Sequence, residues 1–145
     1  MIVEAILDKC VDLRQTGPTG YGPVLASITH RDPLLLQRLL LRGANPNEKD
    51  WVGETPLWVA TYHQFHAGIK LLLNFGADID YSRYGDTALK LAVRRGDIIA
   101  VELLLNHGAG PKAGLSQALI DQAKKARDFE IADILKTALE RHQDG

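Results

Sequence analysis

Cysteine is almost absent from this chain: Cys10 is the only one in 145 residues. No intramolecular disulfide can form, and a reducing compartment, the cytoplasm, is expected. Charge of one sign is also lacking. The 17 Lys and Arg stand against 18 Asp and Glu, with no basic block. Phosphate binding needs clustered cations, so nucleic acid is not expected as a partner. No apolar run approaches the roughly 18 residues of a membrane span, and no membrane partner is expected. Met1-Ile2-Val3-Glu4 puts an acid where a secretory leader would be basic, and Asp8 interrupts the apolar stretch, so no targeting segment is read there. Charged residues at 24% and hydrophobic ones at 46% exclude a disordered or fibrous chain and suit one globular domain.

What the chain has instead is a recurring phrase. Asp50-Trp51-Val52-Gly53-Glu54-Thr55-Pro56-Leu57-Trp58-Val59-Ala60 is answered 32 residues on by Ser82-Arg83-Tyr84-Gly85-Asp86-Thr87-Ala88-Leu89-Lys90-Leu91-Ala92. Each is followed by a leucine run and a Gly-Ala pair, Leu71-Leu72-Leu73-Asn74-Phe75-Gly76-Ala77 and Leu103-Leu104-Leu105-Asn106-His107-Gly108-Ala109. A weaker copy, Leu39-Leu40-Leu41-Arg42-Gly43-Ala44, lies upstream. A period of this length signifies a stacked array in which each unit covers its neighbour.

The physics of the phrase predicts two short helices per unit. Thr55 is a good N-cap and Pro56 suits the first helical position, where its missing N–H costs nothing. Leu57, Ala60 and Thr61 fall on one face, as do Leu89, Ala92 and Val93 in the next unit. In the second helices, Asp32 caps and Pro33 opens the first copy. Leu36, Leu39 and Leu40 share a face, then Ile69, Leu72 and Leu73, then Val101, Leu104 and Leu105. Gly43, Gly76 and Gly108 stop these helices, since a left-handed residue after a helix is cheapest as glycine. Helices this short are marginal alone, so stability must come from stacking.

The phrase resembles the ankyrin repeat, with its period of about 33 residues and T-P-L-H-x-A signature. Thr55-Pro56-Leu57-Trp58-Val59-Ala60 matches except that Trp58 stands in the His position; Thr87-Ala88-Leu89-Lys90-Leu91-Ala92 lacks both Pro and His; Gly22-Pro23-Val24-Leu25-Ala26-Ser27 is a degenerate first copy. The resemblance implies an all-α helical solenoid of about three repeats, 17–49, 50–81 and 82–111, within a single domain 1–145. An N-terminal half-repeat, a capping helix within 1–16, and a C-terminal capping repeat, 112–145, complete it. Val3, Ile6 and Leu7 repeat the spacing of Leu36, Leu39 and Leu40. Ile131, Ile134, Leu135, Ala138 and Leu139 form an apolar stripe opposite Lys124, Lys125, Arg127, Asp133, Lys136 and Glu140.

Chemistry is hard to find. Gly108-Ala109-Gly110-Pro111-Lys112-Ala113-Gly114 superficially resembles a phosphate loop, but a helix precedes it, not a strand. His63 and His66 have a metal-compatible spacing, yet they fall at the turn between two helices without a neighbouring ligand, which favours exposed or capping histidines. Cys10 has no local partner to lower its pKa, and Ser27, Ser82 and Ser116 lie in no nucleophile elbow. No catalytic residue, metal or cofactor is expected.

The resemblance places partner contacts on the turn tips and the exposed side of the first helices. The tips supply Tyr21, Trp51, Val52, Glu54, Arg83, Tyr84 and Asp86; the helix side supplies Thr29, His30, Tyr62, His63, Arg94 and Arg95, with Trp58 and Lys90 at its base. Trp, Tyr and Arg are the residues enriched at interface hot spots. Against this, Trp58 also suits filling space between repeats, Tyr62 and Tyr84 suit packing on neighbouring turns, and the arginines suit a solvated edge. The expected function is a non-catalytic protein-binding module, monomeric on its own, that masks or bridges partner proteins as an adaptor or a stand-alone inhibitor. With no appended domain read in the chain, occupancy alone would be the mechanism. The alternatives are an enzyme or small-ligand protein with an unrecognised site, and a self-associating unit that uses Leu34, Leu35 and Leu41, leucines that also suit a second binding site and, better, packing under the N-terminal helix.

Overall fold

The computed structural model describes residues 22–144. The expected capping helix within 1–16, Cys10 and Tyr21 lie outside them. Among the described residues the chain forms four pairs of antiparallel helices. The first helices are α1 (Pro23–Thr29), α3 (Pro56–Tyr62), α5 (Ala88–Arg94) and α7 (Gln117–Lys125). The second are α2 (Pro33–Leu41), α4 (His66–Asn74), α6 (Ile98–Asn106) and α8 (Phe129–Asp144). First helices stack on first helices and second on second, each pair packing on its neighbours in the row.

Local chemistry explains where the helices begin and end. Thr55 and Thr87 accept from the backbone amides of Trp58 and Lys90, and Asp32 and Asp97 from those of Leu35 and Ala100. These N-cap bonds satisfy amides that have no partner inside the helix. After the first three second helices the chain turns left-handed at Gly43, Gly76 and Gly108, with φ of 90°, 90° and 98°. Within each pair, the short link also contains one left-handed residue, Arg31, Gln64, Gly96 or Arg127. Three of these four lack the glycine that usually marks such a turn, so composition does not reveal them.

The core runs the length of the row. Leu25, Leu57, Leu89 and Ile120 from the first helices meet Leu36, Ile69, Val101 and Ile131 from the second, all buried. Ala60 and Ala92 are also fully buried, and their small size lets successive helix pairs approach closely. Ile134, Ala138 and Leu139 pack half-buried at the C-terminal end.

The structure adds a two-stranded ribbon to the expected all-helical array: β1 (Ser82–Arg83) pairs antiparallel with β2 (Asp86–Thr87). Tyr84 and Gly85 between them both have positive φ, 52° and 81°. That is the signature of the two-residue turn whose twist matches a hairpin. The corresponding finger at 50–55 closes differently. Asp50 Oδ1 accepts from the amides of Val52 and Glu54 at 3.0 and 2.8 Å, and Gly53 turns left-handed at 81°.

Candidate protein-binding face

Two fingers project between the repeats and are tied to each other. Arg83 donates through Nε to the Val52 carbonyl at 2.9 Å and through Nη1 to Glu54 Oε1 at 2.9 Å. The Tyr81 hydroxyl donates to the Gly53 carbonyl at 2.7 Å. These bonds hold the first finger against the base of the second. The same guanidinium lies over the rings of Trp58, at 5.7 Å, and Tyr84, at 5.4 Å.

A ladder of rings and cations continues along the first helices. Trp58 and Tyr62, one turn apart on α3, stack with centroids 5.7 Å apart and planes 12° apart. His63 meets Tyr62 edge-on at 5.3 Å. Arg95, from the following repeat, covers Tyr62 at 4.8 Å. Such contacts contribute about 0.5–1 kcal/mol each where exposed, enough to preset ring orientation. Trp51 is 76% exposed, Tyr84 93% and Tyr62 46%, with Val52 also open to solvent. These rings face outward from the stack.

The remaining residues placed here by the sequence have structural bonds of their own. Arg94 donates to both Asp86 oxygens, at 3.1 and 2.7 Å. The hydrogen bonds that Arg94 donates to Asp86 raise its pKa above the ordinary value, so the fork stays charged. Lys90 Nζ donates to the Gly85 carbonyl at 2.9 Å, which fixes the tip of the second finger. Trp58 is half-buried, and its indole Nε1 is buried without a hydrogen-bond partner among the described residues.

Several connections had no local signal. His66, expected at the turn, is the first residue of α4, and its Nε2 lies 2.9 and 2.8 Å from the two oxygens of Asp97. Its partner is the cap of the next repeat, 31 residues away, which no spacing rule reveals. Phe65 replaces the capping Asp in this repeat; it is buried and its ring packs where a Cβ on Gly68 would stand. Glu48 reaches back to the start of α1, where the Leu25 amide donates to it at 2.8 Å. Burial pushes its carboxyl pKa up despite that bond.

Other places carry less. The Gly110–Gly114 segment forms a single tight turn, Pro111–Ala113. The Lys90 stem and the His142 ring occupy the open sides of Gly114 and Gly110 respectively. An open groove of about 510 Å³ between α6 and α8 is lined by Glu102, Asp133 and His142 among others. Among the described residues no group of three or more His, Cys, Asp or Glu is arranged to hold a metal, and no helix is long and apolar enough to cross a membrane. Leu34 and Leu41 are largely exposed on α2, while Leu35 packs half-buried against the core.

Paired short helices in a stacked row, with fingers and an outward aromatic face, define a helical-repeat solenoid. The family model described as ankyrin repeats (3 copies) matches residues 24–114, and the chain belongs to that family. It is similar to the human photoreceptor ankyrin repeat protein, 38% identical over 94 residues, covering 61% of this chain and 21% of that protein. Human ankyrin repeat and SOCS box protein 11 is 33% identical over 84 residues, 57% of this chain and 26% of the relative. Human SH3 and multiple ankyrin repeat domains protein 2 is 39% identical over 111 residues, 74% and 6% respectively. The chain thus spans only about a quarter or less of the length of these relatives. Ankyrin repeats are generally protein–protein interaction modules and typically non-catalytic.

Proposed function

We propose that this chain binds a partner protein through the face built from Trp51, Val52, Trp58, Tyr62, Arg83 and Tyr84, extended by His63, Lys90, Arg94, Arg95, Glu54 and Asp86. It would act by occupancy, masking or bridging partners as an adaptor or inhibitor in the cytoplasm. The observation that carries this reading is the exposure of Trp51 and Tyr84, 76% and 93%, on fingers held by Arg83. Large rings left in water on a pre-organised support gain free energy when a partner covers them, and little ordering entropy is lost. Among the named face residues, Arg83, Arg94 and Lys90 serve first as supports for the fingers, and the rings form the contact surface.

The test is affinity capture with the intact chain, followed by titration of the captured partner against Trp51→Ala and Tyr84→Ala. Each variant is expected to weaken binding by more than about 1 kcal/mol while melting with the wild type. Unchanged affinity in the double variant would show that the partner sits elsewhere.

A further inference from the structure

A band of cations borders the proposed face at the far ends of the first helices. The three residues that close each first helix, at 29–31, 62–64, 94–96 and 125–127, comprise five Lys or Arg, two His and no Asp or Glu, and all are exposed. A chain of net charge −1 with five cations here must be net −6 elsewhere. The turns lie side by side, and the first three touch in succession. Arg31 Nη2 donates to the Gln64 carbonyl at 3.3 Å, Arg95 covers Tyr62, and Asp128 approaches the open side of Gly96.

Three acids follow these turns in sequence, Asp32, Asp97 and Asp128, against the five cations, so the band keeps a net positive charge. Asp32 and Asp97 are turned to cap α2 and α6, and Asp97 also holds His66. Of the five cations, Arg94 has Asp86. Among the described residues, Arg95, Lys125 and Arg127 form no ion pair. The face already displays the chemistry it would use on a ligand. Arg94 holds Asp86 in a two-bond fork and Arg83 binds Glu54, the geometry in which guanidinium recognises carboxylate.

We infer that the face takes an acidic polypeptide segment, with Asp or Glu side chains on Arg95, Lys125 and Arg127 and apolar side chains among Trp51, Val52 and Tyr84. This deepens the reading above and rests on it. Charge complementarity sets orientation and rate of encounter, while the rings supply buried area. A polypeptide suits the face better than nucleic acid because the Glu54 and Asp86 carboxylates line its finger side, where backbone phosphates would meet them.

The experiment uses the full chain and three fluorescein-labelled probes: a peptide of Asp, Glu, Leu and Phe, its Asn/Gln counterpart, and a single-stranded DNA of equal length. Binding of the acidic peptide is expected to fall with salt. It should weaken more than about tenfold in Arg95→Glu/Lys125→Glu, and measurably in Lys125→Glu alone. Lys136→Glu, exposed on α8, should match the wild type. Equal binding of the amide peptide, tighter binding of the DNA, or indifference to charge reversal in folded variants would each overturn the inference. Those results would leave the aromatic face standing if Trp51→Ala and Tyr84→Ala still weaken the captured partner. Loss of acidic-peptide binding on charge reversal alone, with no effect of the ring variants on the partner, would reject the aromatic reading instead.

Discussion

The Glu48 carboxylate occupies the space that Gly22 leaves open at the start of α1. It accepts the Leu25 amide at 2.8 Å, and a Cβ on Gly22 would overlap it. Gly22 has no side chain to cap its own helix, so a residue from the far side of the repeat performs that role.

Glu48→Ala is therefore expected to cost about 1 kcal/mol, the usual loss of an N-cap, in urea denaturation at neutral pH. Glu48→Gln keeps an acceptor oxygen and should cost less. The pH dependence follows from the raised carboxyl pKa, caused by burial. The folded chain holds this proton to higher pH than the unfolded one. Stability from this group is present below the ordinary carboxyl range and lost as pH rises through the raised value. The stability difference between Glu48→Gln and wild type should shift in favour of Gln as pH rises from acid to neutral. A gap that does not change with pH would refute this.

His66 and Asp97 join consecutive repeats at 2.8 Å, with the carboxylate almost wholly buried. Removing His66 leaves Asp97 with fewer donors in a buried place, which costs about 1–3 kcal/mol. Asp97→Ala removes both the cap and the inter-repeat bond. In a double-mutant cycle the two substitutions should couple by more than about 0.5 kcal/mol. Simple additivity would show that the contact is energetically idle.

Trp58 stacks on Tyr62 yet buries an indole N–H that has no acceptor among the described residues. Trp58→Phe keeps an aromatic ring and removes the orphan donor. Its stability is expected within about 1 kcal/mol of the wild type, or above it. Trp58→Ala removes the ring as well and should be clearly destabilising, by about 3 kcal/mol. Calorimetric melting distinguishes the two, and a Phe variant as damaged as the Ala variant would contradict the account.

Leu72 and Leu104 are fully buried where second helices stack. Truncation to Ala at either should cost about 2–5 kcal/mol by denaturant titration. Gly68→Ala should also destabilise, because the added methyl meets the Phe65 ring. Leu34→Ala, at a residue 66% exposed on α2, is expected within about 0.5 kcal/mol of wild type.

The helix pairs and their stacking were legible in the residue pattern. Thr55 and Asp32 cap amides three residues along, Gly43, Gly76 and Gly108 turn left-handed just past helix ends, and Leu72 and Leu104 lie on apolar stripes. All of these act within a turn or two of helix, so spacing alone exposes them. Tertiary structure decided the rest. Glu48 caps a helix that begins well before it, His66 finds Asp97, and Arg83 fastens one finger to the next. Those partners stand 23 to 31 residues apart and meet only when repeats stack, since their bonds depend on the distance between helix pairs and leave no period in the chain.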